Sequence, residues 1–159
     1  MDYFIHKGKK EDFEKIKVLW DKLWTFNEKK EPSYQRNSQA EKKFTSLFNS
    51  IISDNESSCI FVADNEKSII GYIMASIWQK PAGFKLHQFG SIIDTFVREK
   101  YRRQGIGSEL LKRVKKWFMD NTTIRRLEVN MVVNNEVSMN FWRKNGFIPF
   151  SQNSYLNLK

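Results

Sequence analysis

The sequence has few of the residues that commonly build disulfides or metal sites. Its 159 residues include one cysteine and two histidines. Because Cys59 is the single cysteine, an intramolecular disulfide is excluded, which fits a reducing cytoplasm. Its apolar neighbours favour buried packing over nucleophilic catalysis. His6 and His87 share no spacing with other ligand types, so we expect structural or exposed roles for both and no metal.

Long hydrophobic runs are also absent. No apolar stretch approaches the ~20 residues that a membrane-spanning helix needs, and the N-terminus has no signal-peptide core. We therefore expect a cytoplasmic protein. With 40% hydrophobic residues, 13 Phe and 5 Trp, the chain can bury a core without disulfides or cofactors. No repeat, low-complexity tract or linker divides residues 1–159, which we interpret as one domain.

Two familiar phosphate-binding loops are missing as well. No Gly-x-x-x-x-Gly-Lys-Ser/Thr sequence occurs, and Leu110 stands where a third glycine would complete Gly-x-Gly-x-x-Gly. What is present is an apolar strand pattern at residues 92–97, a basic turn, Gly105 and Gly107, and then an amphipathic helical stripe. Glycines without β-carbons, unpaired amides at a helix start and the helix dipole together suit a diphosphate. This order indicates a cofactor that carries a pyrophosphate.

The glycine loop resembles the acetyl-CoA loop of the GCN5-related N-acetyltransferase (GNAT) family. The family pattern is Arg or Gln, two residues, Gly, one residue, then Gly or Ala, which Arg102, Gly105 and Gly107 match. A second segment, residues 135–147, is similar to the family's second cofactor-contacting motif. There an Asn opens a short helix, a small residue follows three positions later, and an aromatic pair and Gly-Phe close the helix. Both motifs occur in the family's order.

The resemblance implies acetyl-CoA as cosubstrate and a set of residues that contact it. In the family, the strands corresponding to residues 91–97 and 126–132 splay apart, so backbone groups at the end of the first strand pair with the pantetheine arm. The arginines of the basic turn bring positive charge to the phosphates. The expected cofactor-binding residues are Phe96, Val97, Arg102, Arg103, Gln104, Gly105, Ile106, Gly107, Ser108, Asn135, Ser138 and Trp142.

Periodicity predicts the order strand, two helices, three strands, helix, strand, helix and strand, which is an α+β (mixed α/β) pattern. The expected strands are residues 3–7, 58–63, 68–78, 86–97, 126–132 and 147–157. This order matches the resembled fold, a central, mostly antiparallel mixed sheet flanked by helices. Aromatic residues of the first helical region, including Trp20 and Trp24, are interpreted as core, although the resemblance implies that one or two of them contact the acceptor.

Amide formation requires an acceptor amine that has lost its proton, so the site needs a base. Asp94 is the first candidate, because it interrupts the end of an apolar strand and many members of the resembled family carry an acid there. The alternative is an aspartate that faces solvent on the polar side of the strand. Glu128, on the facing strand, is the second candidate, and surface ion pairing with Arg125 or Arg126 is its alternative.

The sequence departs from the resembled pattern at the residue that would protonate the leaving sulfur. Family members often place Tyr there, but here the aromatic pair is Phe141-Trp142, and an indole N–H is not a practical proton source. A thiol with a pKa of about 8.5 can leave as the thiolate unaided, so direct transfer in a ternary complex remains the expectation. Tyr72, Tyr101 and Tyr155 are substitute donors that the sequence does not rank.

The net charge of +9 is concentrated around the glycine loop. Residues 98–126 hold ten Lys or Arg against three acidic residues. A phosphate-bearing cosubstrate explains the arginines of the loop, but not the four basic residues at positions 112, 113, 115 and 116 on the outer helix face. A solvated helix face is one interpretation of these four, and contact with nucleic acid or the ribosome is the other.

These features predict an N-acetyltransferase that moves an acetyl group from acetyl-CoA to a primary amine of a small molecule or peptide. Aminoglycosides and polyamines fall within the range of the resembled family. The alternative function is a non-catalytic CoA-sensing protein, or a protein that docks on nucleic acid or the ribosome, built on the same fold. A homodimer is a candidate assembly, and no membrane partner is expected.

Overall fold

The computed structural model describes residues 2–158, and these residues form five strands and four helices. In chain order the elements are β1 (Phe4–Lys7), α1 (Phe13–Lys30), α2 (Ala40–Ser53), β2 (Ser58–Asp64), β3 (Ile69–Gln79), β4 (Gln88–Val97), α3 (Ile106–Asn121), β5 (Leu127–Val129) and α4 (Glu136–Lys144). Short 3-10 turns precede α1, α2 and α3 at Lys10–Asp12, Pro32–Tyr34 and Glu99–Tyr101.

The strands form a single sheet in the order β1-β2-β3-β4-β5. The first four strands pair antiparallel, and β5 lies parallel to β4. A parallel pair needs a crossover connection, which α3 supplies between β4 and β5. The expected α+β fold with a mostly antiparallel mixed sheet is therefore confirmed.

Helices cover both faces of this sheet. On one face, α1 and α2 contribute Ile16, Leu19 and Phe48 to a core with Tyr72 of β3. On the opposite face, α3 packs its apolar stripe against β2, β3 and β4 in a second core. Each helix is amphipathic because only one side meets the sheet. No helix in the part of the chain that the structure describes is both long and apolar enough to cross a membrane.

Cys59 lies in β2 within the core on the α3 side. Burial raises the pKa of its thiol to about 12, so the thiolate that nucleophilic catalysis requires is not populated near neutral pH. The expected packing role of this cysteine agrees with its environment.

Two of the β strands meet for only part of their length. The β4–β5 ladder joins Gly90 to Leu127, Ser91 to Glu128 and Ile92 to Val129, and it stops there. Residues 93–97 of β4 therefore have no strand partner on the β5 side among the described residues. The β3–β4 register also shifts between Met74 and Ala75, next to Asp94. These features give the open strand edge that the family resemblance implied.

The predicted last strand at residues 147–157 is wrong. No strand follows α4 in the described residues, and β5 covers only Leu127–Val129 rather than 126–132. A strand needs a neighbour for its backbone hydrogen bonds, and a residue pattern within one segment specifies no such neighbour. The segment is exposed instead, with Ile148 84% and Tyr155 75% accessible. The element order therefore ends with α4.

Candidate active site

The turn between β4 and α3 presents a row of free backbone amides. Arg103 has φ 61° and Gly105, the residue that precedes α3, has φ 84°. The first amide of the helix with a backbone acceptor is that of Glu109, which donates to the Gly105 carbonyl at 3.0 Å. None of the amides of residues 103–108 has an acceptor within the described chain. These donors and the positive end of the helix dipole form a site suited to an anion.

The two glycines of the loop serve different purposes. A Cβ added to Gly105 would meet no atom within 4 Å, so the left-handed φ is what favours glycine there. A Cβ added to Gly107 would lie 2.9 Å from Cε2 of Phe141. Gly107 therefore allows α4 to pack closely against the start of α3. The sequence reasoning assigned both glycines to the approach of a ligand and missed this helix contact.

The arginines of the turn also differ in their surroundings. The Nε of Arg102 donates to the Val97 carbonyl at 2.9 Å, and its guanidinium carbon lies 5.4 Å from the centre of the Phe96 ring. This contact holds the turn against the end of β4. Arg103 is exposed and makes no side-chain hydrogen bond or ion pair with any described residue, so its charge is available. Gln104 donates from its side chain to the Lys100 carbonyl at 3.3 Å.

The second motif folds as a capped helix. The side chain of Asn135 is the N-cap of α4, where Oδ1 accepts from the Ser138 amide at 3.1 Å. The Ser138 hydroxyl in turn accepts from Nε1 of Trp142 at 3.1 Å. Trp142 is 2% exposed and packs against the Phe141 and Phe147 rings. The predicted trio of Asn135, Ser138 and Trp142 is therefore brought together by the helix.

Asp94 does not face solvent. Its side chain is 8% exposed and lies on the α1 side of β4, opposite Met74 of β3. Burial raises the pKa of its carboxyl to about 7. The indole N–H of Trp24 in α1 opposes that rise, although Nε1 makes no hydrogen bond of regular geometry. A carboxyl that titrates near neutral pH, on the strand whose edge is open, is suited to general-base catalysis.

Glu128 has two charged partners. Its Oε1 accepts from Lys80 Nζ at 3.0 Å and from Arg126 Nε at 2.8 Å. Arg125 is directed elsewhere and donates to the backbone carbonyls of Thr122 and Ile124. The ion pair with Arg126 was the alternative interpretation of this residue, and Lys80, from the end of the β3 hairpin, is a partner that the sequence did not indicate.

A comparison with protein families matches residues 6–147 of this chain to the family described as Acetyltransferase (GNAT) family. The chain belongs to the GNAT acetyltransferase family. This is the family that the two sequence motifs indicated. The matched range begins in β1 and ends just after α4, so it includes the amide row, the open strand edge and Asp94.

One curated relative matches part of this chain. An N-alpha-acetyltransferase of Sulfurisphaera tokodaii (strain DSM 16993 / JCM 10545 / NBRC 100140 / 7) is 31% identical over 91 residues, which cover 55% of this chain and 54% of that protein. The match thus spans about half the length of the curated relative.

Solved structures show the same fold at lower identity. A mutant of the BH1408 protein from Bacillus halodurans has a TM-score of 0.83 at 20% identity, covering 98% of this chain and 99% of that one. An aminoglycoside 6'-N-acetyltransferase, AAC(6')-Ih from Acinetobacter baumannii, has a TM-score of 0.76 at 16% identity and covers 99% of both chains. AAC(6')-Iy in complex with the bisubstrate analogue CoA-S-monomethyl-acetylneamine has a TM-score of 0.78 at 17% identity, covering 100% and 99%.

The structure separates the three tyrosines that the sequence did not rank. Tyr155 is exposed in the segment after α4, and the Tyr101 hydroxyl accepts from Asn65 Nδ2 at 3.2 Å. Tyr72 is fully buried on the Asp94 side of the sheet, and its hydroxyl has no partner among the described residues. Tyr72 and Met74 lie two residues apart in β3, so their side chains share one face of this GNAT sheet. The register between β3 and β4 places Met74 opposite Asp94, and this register is not visible in the sequence.

The aromatic residues of α1 belong mostly to the core, as expected. Trp20 stacks on Phe44 with ring centres 4.4 Å apart, and the Arg36 guanidinium carbon lies 5.3 Å from the Trp20 ring centre. Trp24 meets the Tyr34 ring edge-on at 5.7 Å and lies beside Asp94. Trp24 is therefore the aromatic residue of this region that the structure brings to the candidate active site.

Proposed function

We propose that this protein transfers an acetyl group from acetyl-CoA to a primary amine of a small molecule or peptide. The observation that carries the proposal is one strand, β4, that combines three requirements of the reaction. Its edge is open beyond Ile92, its end leads into the free amides of residues 103–108, and its buried Asp94 titrates near neutral pH. Binding, positioning and proton removal are thereby brought to adjacent places.

The residues present fit coenzyme A. The amides of residues 103–108 and the unpaired charge of Arg103 suit a diphosphate, and Arg102 holds the turn that presents them. The backbone groups that residues 93–97 direct to the β5 side suit the amides of a pantetheine arm, with Phe96 and Val97 at the end, where Arg102 already donates to the Val97 carbonyl. Gln104, Gly105, Ile106, Gly107 and Ser108 complete the first part of the site. Asn135 and Ser138 form the second part, which the buried Trp142 supports from the core through its hydrogen bond to Ser138. Acetyl-CoA supplies the activated thioester carbonyl.

Asp94 is the proposed general base. Its carboxylate takes a proton from the acceptor ammonium, which frees the nitrogen lone pair to attack the thioester carbonyl carbon. A carbon–nitrogen bond forms, the carbon–sulfur bond breaks and the sulfur leaves as a thiolate, while the nitrogen releases its second proton to solvent as the amide forms. No acyl-enzyme is needed, because both reactants are held together. Glu128 stays the second candidate, and its two cationic partners favour a structural role for its carboxylate.

The basicity of the acceptor can be compared with that of Asp94. A peptide α-amino group has a pKa of about 7.7–8.0, whereas a lysine side chain has one of about 10.4. Because the carboxyl of Asp94 titrates at about 7, it removes a proton more easily from the less basic amine. We therefore expect turnover to favour weakly basic primary amines. The S. tokodaii relative is named for α-amine acetylation, which agrees with this preference.

The non-catalytic alternatives depend on the outer face of α3. Its four basic residues, at positions 112, 113, 115 and 116, are exposed. Lys112 lies 3.9 Å from Glu109 and Lys116 lies 2.8 Å from Asp120, so two of the four charges have acidic neighbours on the same helix. This pattern supports a solvated helix face over a nucleic-acid or ribosome contact.

Thermal shift and thiol release test the proposed function. Acetyl-CoA is expected to raise the Tm at both low and high salt, while a nonspecific DNA duplex gives little response. Thiol release with a panel of peptide α-amines, lysine derivatives, polyamines and aminoglycosides then identifies the acceptor class. A salt-sensitive duplex response without a cofactor shift supports the alternative function.

Replacing Gly105 with a bulky residue is expected to weaken acetyl-CoA binding, and unchanged affinity would contradict the amide site.

Two further expectations accompany the enzyme. A cytoplasmic location is supported by a lone, buried cysteine, and fractionation of cells that express the tagged protein tests it. A homodimer is supported by the exposed apolar residues after α4, such as Ile148 and Leu156. Sedimentation velocity at several concentrations measures the assembly directly.

A further inference from the structure

Tyr72 is buried in a position where its hydroxyl has no described partner. It lies in β3 opposite Phe96 of β4, and Met74, two residues along, lies opposite Asp94. Tyr72 and Asp94 therefore point to the same face of the sheet as diagonal cross-strand neighbours, a separation that a long side chain can bridge. The Tyr72 side chain is fully buried, and its hydroxyl forms no hydrogen bond with any described residue.

A second buried donor without a regular hydrogen-bond partner lies beside the carboxyl of Asp94. The Nε1 of Trp24 in α1 is also buried without a regular hydrogen-bond partner, and it faces Asp94 from the helix side. A buried donor that lacks an acceptor costs free energy, so two of them beside one carboxyl indicate groups that gain their acceptor when the carboxyl becomes charged. The indole can only donate, whereas the tyrosine hydroxyl can donate and accept at once.

We propose that Tyr72 is a positioning residue of the acetyl-transfer site, whose hydroxyl donates to the Asp94 carboxylate once that carboxyl ionises. The inference rests on the proposed function, in which Asp94 is the base. The hydroxyl would hold the carboxylate in its proton-accepting form and in a fixed orientation. Trp24 would donate to the same carboxylate from α1. Tyr72 itself exchanges no proton with the leaving sulfur.

The other charged side chains near Tyr72 form ion pairs with one another. Asp21 of α1 lies 3.1 Å from Arg36 and 3.7 Å from Lys17, and Arg36 also pairs with Glu28 at 2.7 Å. The nearest charged groups are thus largely compensated by one another. Burial, and then the negative charges of Asp94 and Asp21, raise the pKa of Tyr72 well above its ordinary value. The hydroxyl therefore stays protonated and can donate across the working pH range.

The test compares Tyr72→Phe with wild type in kcat/KM against pH, with acetyl-CoA and the best amine of the panel. The variant removes one oxygen and keeps the ring, so we expect it to fold with an unchanged or higher Tm. We expect kcat/KM on the plateau to fall about tenfold, and the acid limb to move to higher pH by about half a unit or more, because the carboxylate loses a donor. Trp24→Phe is expected to move the acid limb in the same direction.

Tyr3→Phe is the matched control, because Tyr3 packs against the core on the α3 side of the sheet and undergoes the same chemical change. Its profile should match wild type. A Tyr72→Phe enzyme with an unmoved acid limb overturns the inference, even if its stability or plateau changes. Asp94→Asn separates the two ideas. If Asp94→Asn inactivates the enzyme while Tyr72→Phe leaves the profile unchanged, only the role of Tyr72 fails; full activity of Asp94→Asn removes the proposed base itself.

Discussion

At the scale of single residues, the burial of Asp94 lowers stability while it favours the catalytic role that we propose for this residue. A carboxyl in an apolar core is held neutral until the pH approaches 7, and ionising it there costs folding free energy. The same perturbation makes its conjugate base strong enough to accept a proton from an amine near neutral pH. A buried acid with this cost and no ion-pair partner among the described residues is the kind of local conflict expected at a functional site.

Asp94→Asn should stabilise the protein in a pH-dependent way. Near pH 4 the folded carboxyl is protonated and the unfolded one, with an ordinary pKa of about 3.9, is about half protonated, so variant and wild type should differ little. As the pH rises to about 7, the unfolded carboxyl ionises before the folded one, and wild type loses stability relative to the variant. We expect the variant to be more stable by about 1–3 kcal/mol at pH 8.

Urea unfolding at pH 4, 6 and 8 measures this difference. The same variant should lose about 10²- to 10⁴-fold in kcat/KM, because it cannot accept the proton. A stability difference that does not grow with pH would show that Asp94 titrates as an ordinary exposed carboxyl. Turnover equal to wild type at every pH would show that Asp94 is not the base.

At the scale of elements, the fold joins the two cofactor motifs by a contact between helices. Gly107 at the start of α3 leaves space for the Phe141 ring of α4, and Phe141 packs against Trp142. The indole of Trp142 donates a hydrogen bond to Ser138 in the first turn of α4, where Asn135 is the cap. The positions of the two halves of the proposed binding site are thus coupled.

Gly107→Ala should destabilise the protein through Phe141. The added Cβ would lie 2.9 Å from the ring, and overpacking outweighs the gain in helix propensity, so we expect a net loss of about 1–2 kcal/mol. In combination with Phe141→Leu the two losses should be less than additive, because the smaller side chain removes the clash. Gly105→Ala is the control. Its strain comes from φ, so it should add independently to Phe141→Leu in the same unfolding measurements.

Glu128 connects β5 to the end of β3. It lies in β5, and its carboxylate pairs with Lys80, just after β3, and with Arg126, just before β5. The side chain of Glu128 is 13% exposed, so its removal leaves two cations in a partly desolvated place. We expect Glu128→Gln to lower stability by about 1–2 kcal/mol while keeping most of the turnover. Unfolding and thiol-release assays on the same sample measure both. A loss of turnover as large as that of Asp94→Asn would make Glu128 the base.

At the scale of the whole molecule, the described monomer leaves one segment outside its packed core. Residues 148–158 form no strand, and several of their apolar side chains are exposed, including Phe150 and Leu158. The Phe150 ring nevertheless lies 4.6 Å from the Arg126 guanidinium carbon and 5.4 Å from Lys80 Nζ. Exposed cation–π contacts of this kind contribute little to stability.

Removing residues 148–159 should therefore change the Tm by no more than about 2 °C, because a domain of this size shifts by ~2–4 °C for each kcal/mol lost. Differential scanning calorimetry of the full and shortened chains at one concentration makes the comparison. A fall of several degrees would show that the segment packs in solution as the final strand that the sequence pattern predicted. A fall that depends on concentration would assign that packing to a dimer.

How much the sequence predicts depends on whether a feature is local. The glycine loop, the Asn135 cap and the helix end at Gly146 were predictable because each is fixed by residues a few positions apart. The last strand was not predictable, because alternation within a segment says nothing about a neighbour to pair with. The partner of Gly107 was also hidden, since Phe141 lies more than thirty residues away in the chain.

The sequence by itself determined the acetyltransferase family, the place of the loop that we propose binds phosphate, and the presence of an acid in the strand before it, since these depend on residue type and short spacing. Only the tertiary structure decided that Asp94 points into the α1 side of the sheet, that its carboxyl titrates near neutral pH, and that Trp24 and Tyr72 are its neighbours. The physical reason is desolvation. The free energy of a charge depends on how completely distant parts of the chain exclude water around it, which no local pattern specifies.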